Sequence, residues 1–367
     1  MKTLLERAAA ALVLAAWLLP AGAQELRVQT VARGLNHPWA TAFLPQGRFL
    51  VTERPGRLRV VDPNGRLGPP IKGVPEVAAG GQGGLLDLVL DSQFARNREL
   101  FFCYAEPGPG GSGTALARAK LSQDETRLED LRVIFHQKPK VGGHLQYGCR
   151  IVEAPDGMLF LALGERFYPK EQAQSLDNDL GKIVRITKDG APAPGNPFIG
   201  RKGALPEIWS YGHRNPEGLT WGPDGRLWEH EHGPQGGDEI NLPQAGHNYG
   251  WPVITYGENY GGGKIGIGTH APGMDQPIYY WVPSIAPSGM AFLTSDRYGP
   301  AMKGNLFIGS LKFGYVARLE VAGEKIVREH KVLPGLGRVR DVRQGPDGLL
   351  YLLTDLDNGR LLRVLPP

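Results

Sequence analysis

Beyond residue 24 the 367-residue chain has no apolar run near the roughly 20 residues that a membrane-crossing helix needs, which excludes a later span. Cysteine is scarce: only Cys103 and Cys149 occur, without CxxC or Cys/His spacing, so thiol-redox and zinc-finger classes drop out. Both lie in strand-like runs, LFFCYA and YGCRIV, and sequence leaves open whether their backbones come within bonding distance. Charge of either sign is weak. The formal total is +4, about +3 without Lys2, Glu6 and Arg7, and the basic residues are scattered, which argues against a nucleic-acid partner. Helical periodicity is nearly absent after residue 24.

Glycine and proline are plentiful, at 52 and 31 residues, while a 41% hydrophobic content can still fill a large core. The opening MKTLLERAAAALVLAAWLLPAGAQ has a basic start, an apolar run from Ala8 to Leu19 and the small-x-small pattern Ala21-Gly22-Ala23. It reads as a secretory signal peptide over residues 1–23, with a mature chain of 24–367 exported to the periplasm or secreted.

The mature chain repeats one phrase six times: an alternating apolar run, a turn often written Pro-Asp-Gly, a second apolar run and a short third. Copies start near Ala40, Leu86, Arg150, Gly218, Gly289 and Val342. Proline fixes φ at one turn position and glycine accepts positive φ at the next, so such a turn closes two antiparallel strands. A unit of roughly 50 residues with about four short strands cannot bury both faces alone, but six stacked radially can. The expected fold is therefore all-β, a six-bladed β-propeller of four-stranded antiparallel blades in a single domain; a β-sandwich with coincident turns is the competing reading. Inserts at 107–114, 138–146, 167–179, 192–204 and 256–273 are expected in rim loops.

Chemistry concentrates in the 42 residues from Tyr211 to Pro252, which hold Arg214, four histidines and six acids. Such density is costly to bury unless it holds an anionic ligand, a hard cation, or both. In EHEHGPQGGDE, Gly233 and Pro234 form a turn whose carbonyls can face one point, with Glu239 following, and oxygen ligands of this kind suit Ca²⁺. Ordinary rim acids are the plain alternative.

The runs LNHPWATAFLPQGRFLVTERPGRLRVV, GQGGLLDLVL, LDNDLGKIVRI, YGHRNPEGL, EHEHGPQGGDEINL and NYGWPV resemble soluble quinoprotein glucose/sorbosone dehydrogenases. In particular they resemble the periplasmic aldose sugar dehydrogenases that use pyrroloquinoline quinone (PQQ). The resemblance spans about Val28 to Val364 and implies a six-bladed propeller that oxidises the C1 hydroxyl of an aldose to a lactone. It implies Ca²⁺ at the main-chain oxygens of Gly233 and Pro234, and a second, structural cation at Glu239 and the Tyr249 main chain. For PQQ it implies contacts from Gln82, Arg214, Asn215, Lys312, Arg338 and Arg340, where Arg forks and a Lys point charge suit carboxylates. Arg338 and Arg340 stand two apart, on one face of a strand; a surface ladder with Asp341 is the alternative. Trp281 is a candidate lid over cofactor or sugar, or a structural tryptophan.

The family's base is a histidine four residues before an arginine, but here the residue four before Arg150 is Gln146, which cannot accept a proton near neutral pH. His144, two residues earlier, is the expected base if a bulge absorbs the offset, with His232 and Glu165 as alternatives. His213 and His230 read as structural, and His37 as a turn residue. The resemblance also implies an unnamed periplasmic electron acceptor, and a closed propeller is expected to be a monomer. The competing function is a binding propeller without turnover, and a weaker third is a calcium-dependent hydrolase.

Overall fold

The computed structural model describes residues 25–367, and the expected signal peptide lies outside them. Among the described residues, twenty-four strands form six four-stranded antiparallel sheets. The innermost strands are Pro38–Leu44, Leu85–Leu90, Gly148–Glu153, Pro216–Trp221, Pro287–Phe292 and Val339–Gln344. Each packs beside the next and the last beside the first, which closes a ring around a central channel. The chain is a six-bladed propeller.

The repeat phase read from sequence coincides with the blades, since each of the six starting residues lies in an innermost strand. Pro155-Asp156-Gly157, Pro223-Asp224-Gly225 and Pro346-Asp347-Gly348 each join an innermost strand to the second of its blade. The sixth blade is completed by the start of the described chain: Arg27–Leu35 pairs antiparallel with Gly359–Leu365. That pairing joins the two ends of the described residues in one sheet and leaves no open seam between first and last blades.

Core side chains fill the gaps between neighbouring sheets, as in the cluster of Leu86, Phe101, Leu116, Ile151 and Leu161 between the second and third blades. Cys103 and Cys149 are disulfide-bonded across this gap, with Cα atoms 5.8 Å apart. Among the described residues the helices are short, Phe94–Asn97 being α-helical, and none is long and apolar enough to cross a membrane. One expected loop differs. Residues 107–114 continue a hairpin, pairing Pro107 with Ser112 and Gly108 with Gly111, because Gly110 accepts a φ of 86° at the turn.

Candidate functional site

Every innermost strand carries a register break near its start, before its regular pairing with the second strand. Inside these breaks sit Trp39, Asp87, Arg150, Glu217, Ser288 and Arg340, all buried. A bulge inserts a residue without a partner and re-aims its side chain. Six bulges at one level of a ring thus gather unlike side chains around the channel.

Two ionic groups result. In one, Arg150 Nη1 lies 3.3 Å from Asp87 and 3.0 Å from Asp341, and Arg343 bonds both carboxylates. In the other, Arg340 donates to Glu217 at 2.8 Å and to Asp355 at 2.9 Å. The Trp39 ring touches both, with the Arg150 guanidinium 4.2 Å and the Arg340 guanidinium 5.5 Å from its centroid. Burial works against the Asp355 carboxylate, yet Arg340 and Arg54 hold it well below the ordinary aspartate range.

Beside the second group opens a cavity of about 300 Å³, lined by residues of five blades or their loops. Arg54, Arg338 and Arg340 put three guanidinium groups on its wall, with Gln82, Trp39 and the Gly233-Pro234 turn. Arg340 Nε is buried without a partner. Cationic forks, a flat indole and an unused buried donor fit a planar polyanion. Gly233 cannot be larger: a Cβ there would lie 2.1 Å from the Gly236 carbonyl oxygen.

Of the residues expected from sequence, Gln82, Gly233, Pro234, Arg338 and Arg340 line this cavity. Arg214 lines a neighbouring cavity of about 180 Å³ that shares Pro234 and Tyr260 with the first. Its Nη1 donates to the carbonyls of His232 at 2.9 Å and Gly233 at 2.8 Å. Asn215 is fully buried, accepting from Gly148 N at 3.0 Å and donating to Glu217 at 3.1 Å, so it braces the wall. Lys312 lies outside the wall, exposed, with Nζ 5.2 Å from the Phe313 ring centroid. Trp281 is also outside it, buried in the outermost strand of the fourth blade with its indole N–H on Glu329 at 3.1 Å.

His144 is exposed and lines neither cavity; its carbonyl accepts from Gln82 N at 2.8 Å. Gln146 has φ 55° and is buried; its N–H donates to Gln82 Oε1 at 2.6 Å, and its own Oε1 has no partner. His232 lines the larger cavity with Nε2 2.6 Å from the Pro287 carbonyl. His213 and His230 are fully buried, against Ser210 and Glu231 and against the Ser288 carbonyl respectively. His37, at φ 46°, lies 2.7 Å from Asp355. Sequence reasoning missed Trp39, Arg54, Glu217, Tyr260 and Asp355. The only signal for Trp39 was its place in the NHPWA run.

Behind the Gly233-Pro234 turn, Glu229, Glu231, Glu239 and His213 are all buried. Ligand atoms of His213, Glu229 and Glu231 lie within 4.8 Å of one another. A void of about 10 Å³, room for one small ligand, is lined by Glu231, Glu239 and Tyr249, with Arg214 and Gly233 on its wall as well. Glu229 Oε1 and Asn241 Oδ1 are buried without partners. Burial, then the neighbouring Glu231 carboxylate, pushes Glu229 and Glu239 well above the usual range. Carboxylates packed this way are relieved by a hard cation.

The sequence profile of the Glucose / Sorbosone dehydrogenase family matches residues 35–363. The chain is 46% identical over 358 residues to the aldose sugar dehydrogenase YliI of Escherichia coli (strain K12), covering 96% of this chain and 95% of that one. The apo crystal structure of the soluble aldose sugar dehydrogenase from Escherichia coli superposes with a TM-score of 0.90 at 46% identity, over 93% of this chain and 100% of that one. The PQQ-bound aldose sugar dehydrogenase from Streptomyces coelicolor does so with a TM-score of 0.76 at 31% identity, over 93% and 98%.

Proposed function

The chain belongs to the glucose/sorbosone dehydrogenase family, and from that premise we propose that it is an exported aldose dehydrogenase, dependent on PQQ and Ca²⁺, that converts the C1 hydroxyl of an aldose to a lactone. The observation that carries the reading is the cavity of about 300 Å³ walled by Arg54, Arg338 and Arg340. Its three guanidinium groups match the three carboxylates of PQQ in number, and the partnerless Nε of Arg340 leaves a buried donor to be satisfied. The structure of a PQQ-bound relative supports the same choice of cofactor.

The residues divide the work. Arg338, half exposed, and Arg54 meet the ligand's charge. Glu217 and Asp355 clamp Arg340, so the guanidinium is set before the ligand arrives. Gln82 is fixed by its bond to Gln146 N and offers its remaining amide group to the cavity. PQQ, when bound, supplies the two-electron oxidant; the protein supplies position and field. The carbonyls of Gly233 and Pro234 would hold one Ca²⁺, the former sharing its oxygen with Arg214. Glu239 and the main chain of Tyr249 would hold a second within the buried acidic cluster. The enzyme acts as a monomer, reoxidised by a periplasmic acceptor.

Purified protein mixed with PQQ and Ca²⁺ should reduce an electron-accepting dye when aldoses are added, with the lactone as product. A binding propeller without turnover is the second reading, favoured by Gln146 where the family has its base. A loaded protein that reduces no dye with any aldose selects it.

A further inference from the structure

We infer that Glu165 is the proton acceptor of this chain's sugar oxidation and that the sugar ring occupies the cavity of about 180 Å³ beside it. The inference rests on the proposed dehydrogenase reading and adds the group that Gln146 cannot be.

The first observation is position. Glu165 lines that cavity together with Phe167, Arg214, Pro234, Trp251 and Tyr260. Pro234 and Tyr260 also line the larger, arginine-walled cavity, so the two spaces adjoin. Aromatic faces suit the apolar faces of a pyranose ring. Phe167 and Tyr260 are stacked, with centroids 6.4 Å apart and an interplanar angle of 29°. Tyr260 is 63% exposed, which leaves its ring open to a ligand.

The second is that Glu165 is buried with one oxygen left over. It is 1% exposed, and its Oε2 has no hydrogen-bond partner. Glu217, the other carboxylate on the two walls, is committed to Arg340 and Asn215. A lone buried carboxylate oxygen is costly unless it meets a donor, and a sugar hydroxyl is one.

The third is that the chain holds this group in place by unusual means. Arg166 and Phe167 follow it at φ 67° and 74°, two successive left-handed residues without glycine. Arg166 fixes the turn by donating to the carbonyls of Ser112 at 2.5 Å, Gly143 at 2.8 Å and Leu145 at 2.8 Å. On the other side, a Cβ on Gly164 would lie 2.1 Å from the Gln146 carbonyl oxygen, so the turn presses against the segment that lacks its histidine. Strain of this kind persists where surrounding bonds over-determine it.

Burial pushes the Glu165 carboxyl up to about 7, against the lowering pull of Arg214, the Phe167 N–H, the Trp251 indole and Lys170. A base with that value is half ionised at neutral pH and ionised above it. In the step itself the anomeric O–H bond breaks and its proton passes to a Glu165 oxygen. C1=O forms as the C1–H bond breaks, and its electron pair would go to PQQ, the two-electron oxidant when bound. The proton on Glu165 then leaves to solvent.

The test compares wild type with Glu165→Gln and Glu165→Asp, both titrated with PQQ by absorbance before any turnover is measured. Expected are PQQ loading within about threefold of wild type in both variants and a fall in turnover of about 10²–10⁴-fold in Glu165→Gln. Wild-type kcat/KM should rise through a pH near 7, a limb kept by Glu165→Asp and lost in Glu165→Gln. Thermal midpoints give a readout independent of activity. The unfolded carboxyl ionises near 4.5 and the folded one near 7, so wild type loses stability relative to Glu165→Gln between those values, with a constant gap above. Glu165→Gln turning over within threefold of wild type with the limb intact overturns the inference, as does a midpoint gap that ignores pH. A limb that survives in Glu165→Gln and vanishes in His144→Ala also overturns it. Failure of wild type to load PQQ at all removes the dehydrogenase reading, and this inference with it.

Discussion

Arg340 donates to Glu217 across the centre of the ring, at 2.8 Å, although 123 residues separate them. The contact joins the bulge of the sixth blade to the bulge of the fourth, and Asp355 completes it at 2.9 Å. Burial alone would lower the basicity of Arg340, but Asp355 and Glu217 outweigh it and raise it.

Removing that guanidinium strands two buried carboxylates. Arg340→Ala should lower unfolding free energy by about 3–5 kcal/mol, since a broken buried pair leaves uncompensated charge. PQQ binding should be lost with it. Urea denaturation of the apo-protein checks the first part; a loss under 1 kcal/mol would show that the carboxylates reprotonate or hydrate without strain.

The fold was legible because its signals are local. A Pro-Asp-Gly turn between alternating runs needs no distant partner; three blades carry it, and the repeated apolar runs around looser turns gave the phase of the other three. The site was half legible. Arg338 and Arg340 line one cavity as expected, but they are not equivalent: a bulge between Val339 and Asp341 buries Arg340 and leaves the side chain of Arg338 half exposed. Bulges leave no trace in a period-two pattern, so Trp39 and Glu217 could not be singled out. Arg54 meets Asp355 only because ring closure joins the first and last blades. Trp281 shows the reverse case: a tryptophan beside a loop reads the same whether it caps a ligand or fills a core, and here it belongs to the buried cluster that holds Ile240, Ile285 and Tyr315.

Calcium should act as a structural ligand of the buried acidic cluster. The thermal midpoint of the apo-protein should rise with added Ca²⁺, equivalent to about 2.7 kcal/mol at a hundredfold excess over Kd. A chelator should reverse the rise, and Glu239→Gln should weaken it. Midpoints that do not respond to Ca²⁺ would remove the cation from this cluster.

The disulfide ties the second strand of the second blade to the innermost strand of the third, one residue before Arg150. Closing a loop of 46 residues restricts the unfolded chain, and Cys149→Ser should cost about 2–4 kcal/mol. Chemical denaturation with and without reductant measures it; coincident curves would show that the crosslink adds nothing.

The central claim is that guanidinium groups from the first and sixth blades form a receptor for a tricarboxylate quinone. Titration of purified apo-protein with PQQ in the presence of Ca²⁺, followed by quinone absorbance, tests it most directly. The account predicts a shifted spectrum that saturates at one PQQ per chain and is absent in Arg340→Ala. A spectrum identical to free PQQ at every ratio would contradict it.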